Sequence, residues 1–206
     1  MTTNRLGRAL PLLIAFALLM GACEQAQDIV PGAEEEKPKV AEAAFHLGEV
    51  RAIDPQDRGD SGQKATDEAG KVVALMNSFY SAAFLDPAKW QGGQHPDLAG
   101  LFTAEAQAGL QANLGNLAMS DLSDKIESVE SQKQNLDKVT FFVDGDGSLP
   151  IGVASVTFDA LGHPSGDGED VLITHQANYW LQREGDGYKI SAFDAALHAR
   201  EEGAAS

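Results

Sequence analysis

The sequence predicts an α+β domain in which helices precede an antiparallel sheet of four to five strands. Apolar residues recur at helical spacing between residues 72 and 83, and the alternation typical of strands begins near residue 125. Three Gly-Asp-Gly tripeptides then divide the second half of the chain. Strands joined by such short connections pair as antiparallel neighbours, and helices followed by strands make an α+β domain.

Length and composition limit the classes of protein that this chain can belong to. Its 206 residues are 43% apolar, which is enough for one domain with a hydrophobic core and flanking tails. The formal net charge of -16 argues against electrostatic binding to nucleic acid. The single cysteine excludes an internal disulfide and any zinc site built on cysteine pairs.

The helical half contains two predicted helices. Thr66 can cap the first one, which ends at Asp86-Pro87 because a residue before proline avoids the helical region. Residues 87–90 are expected to form one further turn. Thr103 can cap the second helix, which is expected to reach Leu117 although glycines weaken it. The apolar stripe of the first helix comprises Val72, Leu75, Met76, Phe79, Tyr80 and Ala83.

The strand half is divided by the tripeptides at Gly145–Gly147, Gly166–Gly168 and Gly185–Gly187. Asp-Gly favours hairpin turns because these residues tolerate positive φ. The stretches between the tripeptides are rich in branched and aromatic residues, which favour strands. The predicted strands are Val139–Asp144, Ile151–Leu161, Val171–Arg183 and Tyr188–Leu197, with a fifth near Ile126–Ser131.

The N-terminus resembles a bacterial lipoprotein signal peptide over residues 1–22. Arg5 and Arg8 precede an apolar run, Leu10–Met20, that is too short for a membrane-spanning helix of about 20 residues. Met20-Gly21-Ala22-Cys23 is similar to the lipobox, although leucine is commoner at the first position. The resemblance implies cleavage before Cys23 and a diacylglycerol thioether on it. The alternative is an ordinary secreted protein.

Residues 23–65 are expected to form the acylated cysteine and a flexible acidic linker. The stretch holds three consecutive glutamates at 34–36 and prolines at 31 and 38, which disfavour packed structure. Scattered apolar residues between Phe45 and Gly62 are compatible with an arm that docks on the domain. The domain itself is expected over residues 66–198, and residues 199–206 form a disordered tail.

The pattern of the domain resembles the nuclear transport factor 2-like, or cystatin-like, superfamily. Val72–Trp90 and the stretches 139–160 and 179–194 carry the likeness. The last of these is similar to the closing hairpin of secreted actinobacterial members, including proteins associated with mammalian-cell-entry transport systems. The resemblance implies a curved sheet wrapped over helices as a cone with an internal pocket. It does not select a function, because the superfamily includes enzymes and binding modules.

A candidate pocket set follows from strand alternation. His175 and Tyr179 share one face of their strand, Asp194 is expected on the same side of the last strand, and Tyr80 lies on the first helix. Together they resemble the acid/base sets of ketosteroid isomerases and polyketide cyclases. The alternative is that they are hydrogen-bonded residues at the edge of the core. We then expect the interior to be closed by Phe79, Phe158, Tyr179 and Leu181.

Metal and cofactor sites are not expected. Asp144, Asp146 and Ser148 begin like a calcium loop, but Leu149 and Ser155 occupy the positions that need glycine and glutamate. The five histidines have no metal-ligand spacing. Trp90 and Trp180 can line a binding surface, although tryptophan more often packs in a core or at its rim.

The preferred functional interpretation is a non-catalytic lipoprotein of the cell envelope, anchored through Cys23 on the extracytoplasmic face of the membrane. Its partner would be another envelope protein or a small apolar ligand. The alternative from a different class is an isomerase, dehydratase or cyclase that uses the His175, Asp194 and Tyr179 set. A structural spacer is a third interpretation.

The lipobox can be tested at one residue. Cys23→Ser removes the sulfur that accepts the diacylglycerol, so the variant should lose all labelling by radioactive palmitate and should leave the membrane fraction. The lipoprotein interpretation would be contradicted by two results together: the variant still fractionates with membranes, and the mass of the wild-type protein shows no acyl groups.

Overall fold

The computed structural model describes residues 42–90 and 95–202. The expected signal peptide, Cys23 and most of the acidic linker lie outside the described residues, as do residues 203–206 of the expected tail. The described part of that tail differs from the expectation, because the last strand continues to Glu201.

The chain forms an α+β fold in which helices pack on a five-stranded mixed sheet with the strand order β1-β2-β3-β4-β5. Strands β2 to β5 are antiparallel neighbours, whereas β1 pairs parallel with β2. The expectation of a wholly antiparallel sheet is therefore wrong at one edge. The strands are β1 (His46–Ile53), β2 (Ile126–Phe142), β3 (Ile151–Pro164), β4 (Val171–Glu184) and β5 (Gly187–Glu201).

Strand β1 lies in the segment that was expected to be linker, so the folded domain begins well before residue 66. Phe45 anchors the segment, because its ring packs 4.7 Å from that of Tyr80 and its backbone N–H donates to Oδ1 of Asn77 at 2.9 Å. Half-buried Val50 and Ala52 then pack against the core. The scattered apolar residues of the expected docked arm therefore belong to the edge strand β1 or lie next to it.

The first helix, α1 (Ser61–Tyr80), starts five residues before Thr66, which lies inside it and donates its hydroxyl to the carbonyl of Gly62. The cause of the earlier start is a polar cluster around Asp54. Its carboxylate accepts from the Ser61 hydroxyl and from the Arg58 guanidinium, and Arg58 also donates to the carbonyl of Asp144 at 2.6 Å. The Arg58 guanidinium, together with Ser61, holds the pKa of Asp54 well below its usual range. The cluster ties the start of α1 to the β2–β3 turn.

The end of α1 matches the prediction more closely. The helix continues as a π-helical turn, Ser81–Leu85, and stops at extended Asp86, whose side chain caps the 3₁₀ turn Pro87–Lys89. Thr103 caps α2 (Ala104–Ala112) by accepting from the N–H of Ala106, as predicted. This helix stops short of Leu117, however, and a separate turn α3 (Leu114–Leu117) follows it.

The hairpin turns lie where the tripeptides predict them. Each tripeptide lies between two antiparallel strands, and Gly147, Gly166 and Gly185 have φ of 85°, 85° and 59°. Only Gly187 belongs to a strand, as the first residue of β5. The two strands predicted on either side of residue 135 are instead the single strand β2, which has irregularities near residues 127, 132 and 137. These register shifts interrupt the period-two pattern, and the sequence therefore looks like two short strands.

The core lies between the helices and the inner face of the sheet. Alternate residues of β4, from Ile173 to Leu181, are buried, and their neighbours face outward. The aromatic rings of α1 and the sheet fill the space between the two layers. Tyr80 is central to them, with its ring 5.0 Å from Phe158 and 5.2 Å from Phe84.

Two glycines give a test of this packing. A Cβ at Gly48 would meet the backbone carbonyl oxygen of Asp137, so Gly48→Ala should lower the free energy of unfolding by about 1–3 kcal/mol. A Cβ at Gly70 of α1 meets nothing within 4 Å, so Gly70→Ala should raise it by about 0.5–1 kcal/mol. Urea unfolding measures both, and an unchanged Gly48→Ala variant would contradict the close β1–β2 contact.

Candidate functional site

The inner face of the sheet holds a buried polar cluster made by Tyr80, His175 and Tyr179. All three side chains have 0% exposure. The Tyr80 hydroxyl lies 2.7 Å from Nδ1 of His175 and 3.4 Å from the Tyr179 hydroxyl. Nε2 of His175 lies 3.0 Å from the carbonyl oxygen of Asn116. The cluster therefore joins α1, β4 and the α3 turn.

The protonation of this cluster follows from its partners. A carbonyl oxygen only accepts, so Nε2 of His175 carries the proton and donates to Asn116. Nδ1 is then an acceptor, the Tyr80 hydroxyl donates to it, and the Tyr179 hydroxyl donates to Tyr80. Every buried polar atom of the three side chains has a partner, as a stable core requires.

Burial shapes the acid–base properties of the cluster. Desolvation lowers the pKa of His175 to about 4, an effect that the Asn116 carbonyl partly offsets. Desolvation also raises the pKa of Tyr80 and of Tyr179 well above the usual value. The imidazole is therefore neutral and both phenols keep their protons near pH 7.

Asp194 does not join this cluster. Trp180 of β4 pairs with Ala192 and the next residue, Leu181, pairs with Ile190, so Ser191 is an extra residue in β5. This bulge reverses the alternation of β5 after Ile190, and Asp194 faces outward opposite Asn178. The expectation that Asp194 lies on the same side of the sheet as His175 and Tyr179 is wrong for this reason, and the His-Tyr-Asp set is not assembled.

The interior around the cluster is filled by side chains. Phe79, Phe158, Tyr179 and Leu181 have 0% exposure, as expected. The Phe79 ring packs 5.3 Å from that of Tyr179, and the Phe84 ring packs 4.9 Å from that of His175. His175 and Tyr179 are packed and hydrogen-bonded inside the core. They therefore match the interpretation as satisfied core residues.

The outer face of the sheet carries an apolar row, which we define as Ile53, Phe142, Ile151, Val153 and Trp180. Ile53 pairs with Phe142 across β1 and β2, Phe142 pairs with Ile151 across β2 and β3, and Val153 pairs with Trp180 across β3 and β4. Ile53, Phe142, Ile151 and Trp180 are 49%, 40%, 48% and 39% exposed. The row therefore crosses four neighbouring strands as one continuous exposed patch.

Ion pairs lie on both sides of the apolar row. On β1, Arg51 pairs with Glu49, which lies opposite Lys138 of β2. On the far side, Lys189 of β5 lies 2.9 Å from Glu184 of β4. The row is therefore bordered by charges of both signs, an arrangement typical of protein-binding surfaces with an apolar centre and a polar rim.

Sequence reasoning found one member of the row and missed three exposed ones. The sequence identifies Trp90 and Trp180 as candidates for a binding surface; Trp180 is exposed, whereas Trp90 is 1% exposed in the core. The sequence places Ile53 in the linker and identifies Phe142 and Ile151 only as strand formers. The Phe141-Phe142 pair was a usable signal, because neighbouring residues of a strand point to opposite faces and one ring must face outward.

Two surface depressions complete the description. One, of about 390 Å³, lies on the outer face beside the row and includes Asp194, Asn178, Ser155 and Asp137. The other, of about 580 Å³, lies at the C-terminal end of α1 and includes Asn77. In neither depression do the described side chains form a cluster that could hold a metal, since the described residues contain no such group of three or more His, Cys, Asp or Glu.

The comparisons with protein-family models and with curated proteins find no match for the chain. Within residues 42–90 and 95–202, no helix is both long and apolar enough to cross a membrane.

The buried imidazole predicts acid sensitivity. The pKa of His175 is about 4 in the folded chain, below the value of 6.5 that it has when unfolded, so the unfolded chain binds more protons between these values. The free energy of unfolding should fall by about 3 kcal/mol from this residue as the pH falls from about 6.5 to about 4. Urea unfolding at several pH values measures the loss.

The variant His175→Gln removes the titrating group and keeps hydrogen-bonding capacity. It should be less stable than wild type at pH 7 by about 1–3 kcal/mol and should show a smaller loss between pH 6.5 and 4. Equal pH slopes in both proteins would contradict the burial of a neutral imidazole.

Proposed function

We propose that this chain is a lipid-anchored extracytoplasmic protein whose domain is a non-catalytic interaction module of the cell envelope. The apolar row on the outer face of the sheet is the observation that carries the proposal. The lipobox at Cys23 supports the location, and the resemblance of residues 66–198 to the nuclear transport factor 2-like superfamily supports a scaffold of helices on a cone-shaped sheet.

The contrast between the two faces of the sheet supports a protein partner. The inner face is occupied by the rings of Phe79, Tyr80 and Phe158. A small apolar ligand would have to displace these side chains, whereas the apolar row is already accessible. Contiguous exposed apolar patches on folded domains mark surfaces that bind other molecules, because covering them removes apolar area from water.

The composition of the row supports the same proposal. It holds a tryptophan and a phenylalanine, Trp180 and Phe142, which are residues enriched in protein interfaces. Their backbone is held in paired strands, so a partner that covers them does not have to order a loop. Asp194 is the one polar residue beside the row that belongs to the predicted acid/base set. The bulge at Ser191 places it on the opposite face of the sheet from His175.

The proposal predicts that the row, and not the sheet face as a whole, holds the partner. Trp180→Ser combined with Phe142→Ser should lower the amount of chemically cross-linked complex on membranes at least tenfold, because it removes both aromatic anchors. The free energy of unfolding should fall by about 1–3 kcal/mol, because each side chain is partly covered by its cross-strand neighbour, and the double variant should remain folded.

Leu172→Ser is the matched control. Leu172 is an apolar residue of the same strand and, by alternation, of the same face, but it lies eight residues from Trp180 and pairs with Leu161 at the other end of the sheet. It should leave the complex unchanged. Loss of the complex in the control, or its persistence in the double variant, would overturn the assignment of the row.

A further inference from the structure

We infer that the protein bound by the apolar row inserts an arginine between Trp180 and Asp194, at the border of the row. This inference rests on the proposed function, because it names the chemistry of the partner that the row binds. It follows from a carboxylate beside an exposed indole, from the charge of the adjoining depression and from the small residues around it.

Trp180 and Asp194 are neighbours on the outer face of the sheet. Trp180 of β4 pairs with Ala192 of β5, and Asp194 lies two residues further along β5, opposite Asn178. The bulge at Ser191 precedes both β5 residues, so the alternation between them is unbroken and both face outward. Diagonal neighbours of this kind lie about 7–8 Å apart, so one ligand group can contact both side chains.

The carboxylate of Asp194 is not paired with a cation of this chain. The ion pairs among the described residues include neither Asp194 nor Asp137, which lines the same depression. Asp137 accepts from the Thr157 hydroxyl at 2.6 Å, and the adjacent Lys138 lies opposite Glu49. The described residues that line the depression include these two aspartates and no lysine or arginine. The depression therefore attracts a cation.

The combination of an indole and a carboxylate favours arginine over other cations. The Trp180 side chain is 39% exposed. A planar guanidinium can stack on the indole ring while its N–H groups donate two parallel hydrogen bonds to the Asp194 carboxylate. The lysine ammonium is a compact, strongly hydrated charge without a flat surface to stack. A metal ion is a poorer fit, because the described residues contain no group of three or more His, Cys, Asp or Glu that could hold one.

Small residues leave the carboxylate accessible. On the outward side of β5, Asp194 lies between Ala192 and Ala196, and all three residues are exposed. The depression beside it has a volume of about 390 Å³ and also includes Ala195. The methyl groups of these alanines do not cover the carboxylate, so a partner side chain can reach it without a change in the backbone of the sheet.

The depression continues the apolar row along two strands. On the outward face of β3, Ser155 follows Val153, and on that of β4, Asn178 precedes Trp180. A partner can therefore cover the row with apolar side chains and place an arginine at its border, as in interfaces with an apolar centre and a polar rim. The formal net charge of -16 on the full chain also attracts a basic partner.

Photo-cross-linking of the full chain in its host membranes tests the inference. The photoreactive residue benzoylphenylalanine replaces Gln176, an exposed residue that lines the depression. Mass spectrometry identifies the attached protein and the residue of attachment. The expected adduct contains a peptide of another protein with an arginine within about three residues of the attachment, since three extended residues span about 10 Å.

Variants at Asp194 test the role of its carboxylate in forming this adduct. Asp194→Asn removes the charge and should lower the yield about tenfold, while the exposed position keeps unfolding at the wild-type urea concentration. The remaining yield should depend less on salt between about 0.05 and 0.5 M. Asp194→Glu keeps the charge and should recover most of the yield. The matched control is Asp159→Asn, which should change nothing, because Asp159 is an outward carboxylate that already lies opposite Lys133.

The outcomes separate this inference from the proposed function. A wild-type yield in Asp194→Asn overturns the arginine contact, and so does an adduct peptide that lacks a nearby arginine or belongs to this chain. The interaction module then stands if Trp180→Ser combined with Phe142→Ser still loses the complex. No adduct at Gln176, in membranes where the chemically cross-linked complex forms, overturns the arginine contact alone. Absence of the adduct and of the complex overturns both.

A charge exchange with the captured protein tests the pairing directly. Asp194→Arg places two cations together and should lower the yield at least as much as Asp194→Asn does. Replacing the nearby arginine of the captured protein by aspartate should restore most of the yield in this variant. Failure to restore it, with both proteins folded, would overturn the pairing.

Discussion

The hydrogen bond between the Tyr80 hydroxyl and Nδ1 of His175 is the contact on which the arrangement of the layers depends. It lies at the centre of the core and has a length of 2.7 Å, and the other ring nitrogen of His175 binds the backbone of Asn116. One imidazole thus joins the end of α1, the middle of β4 and the α3 turn. Because a buried polar atom without a partner is costly, shifting either helical segment along the sheet would leave a donor or an acceptor unsatisfied.

The bulge at Ser191 is the second constraint, and it separates the inner cluster from the outer face. If Ser191 were paired in register and not bulged, Asp194 would lie opposite Ala177 on the inner side of β5, where a carboxylate would need a buried partner. With the bulge, Phe193 takes the inward position and packs on Phe102 at 6.0 Å. The inner face stays apolar apart from the satisfied tyrosines and histidine, and the carboxylate remains in water.

The two faces of the sheet therefore have different roles. The inner face is closed by aromatic packing around Tyr80, which gives stability. The outer face leaves four large apolar side chains exposed across neighbouring strands. Covering a surface of this kind lowers the free energy, because it removes apolar area from water. The proposed role in the envelope depends on that burial, and the proposed lipid on Cys23 would supply the location.

The sequence by itself determined the class of the fold, the cap at Thr103, the end of α1 before Asp86-Pro87, the three hairpin turns and the inward face of β4, because each of these follows from local backbone preferences or from unbroken alternation. Only the tertiary structure decided the rest. The parallel pairing of β1, the early start of α1 at the Asp54–Arg58 cluster and the outward position of Asp194 depend on contacts between residues far apart in the chain or on a single extra residue. The apolar row depends on strand register in the same way, since Ile53, Phe142 and Trp180 come from three separate strands and only pairing places them side by side.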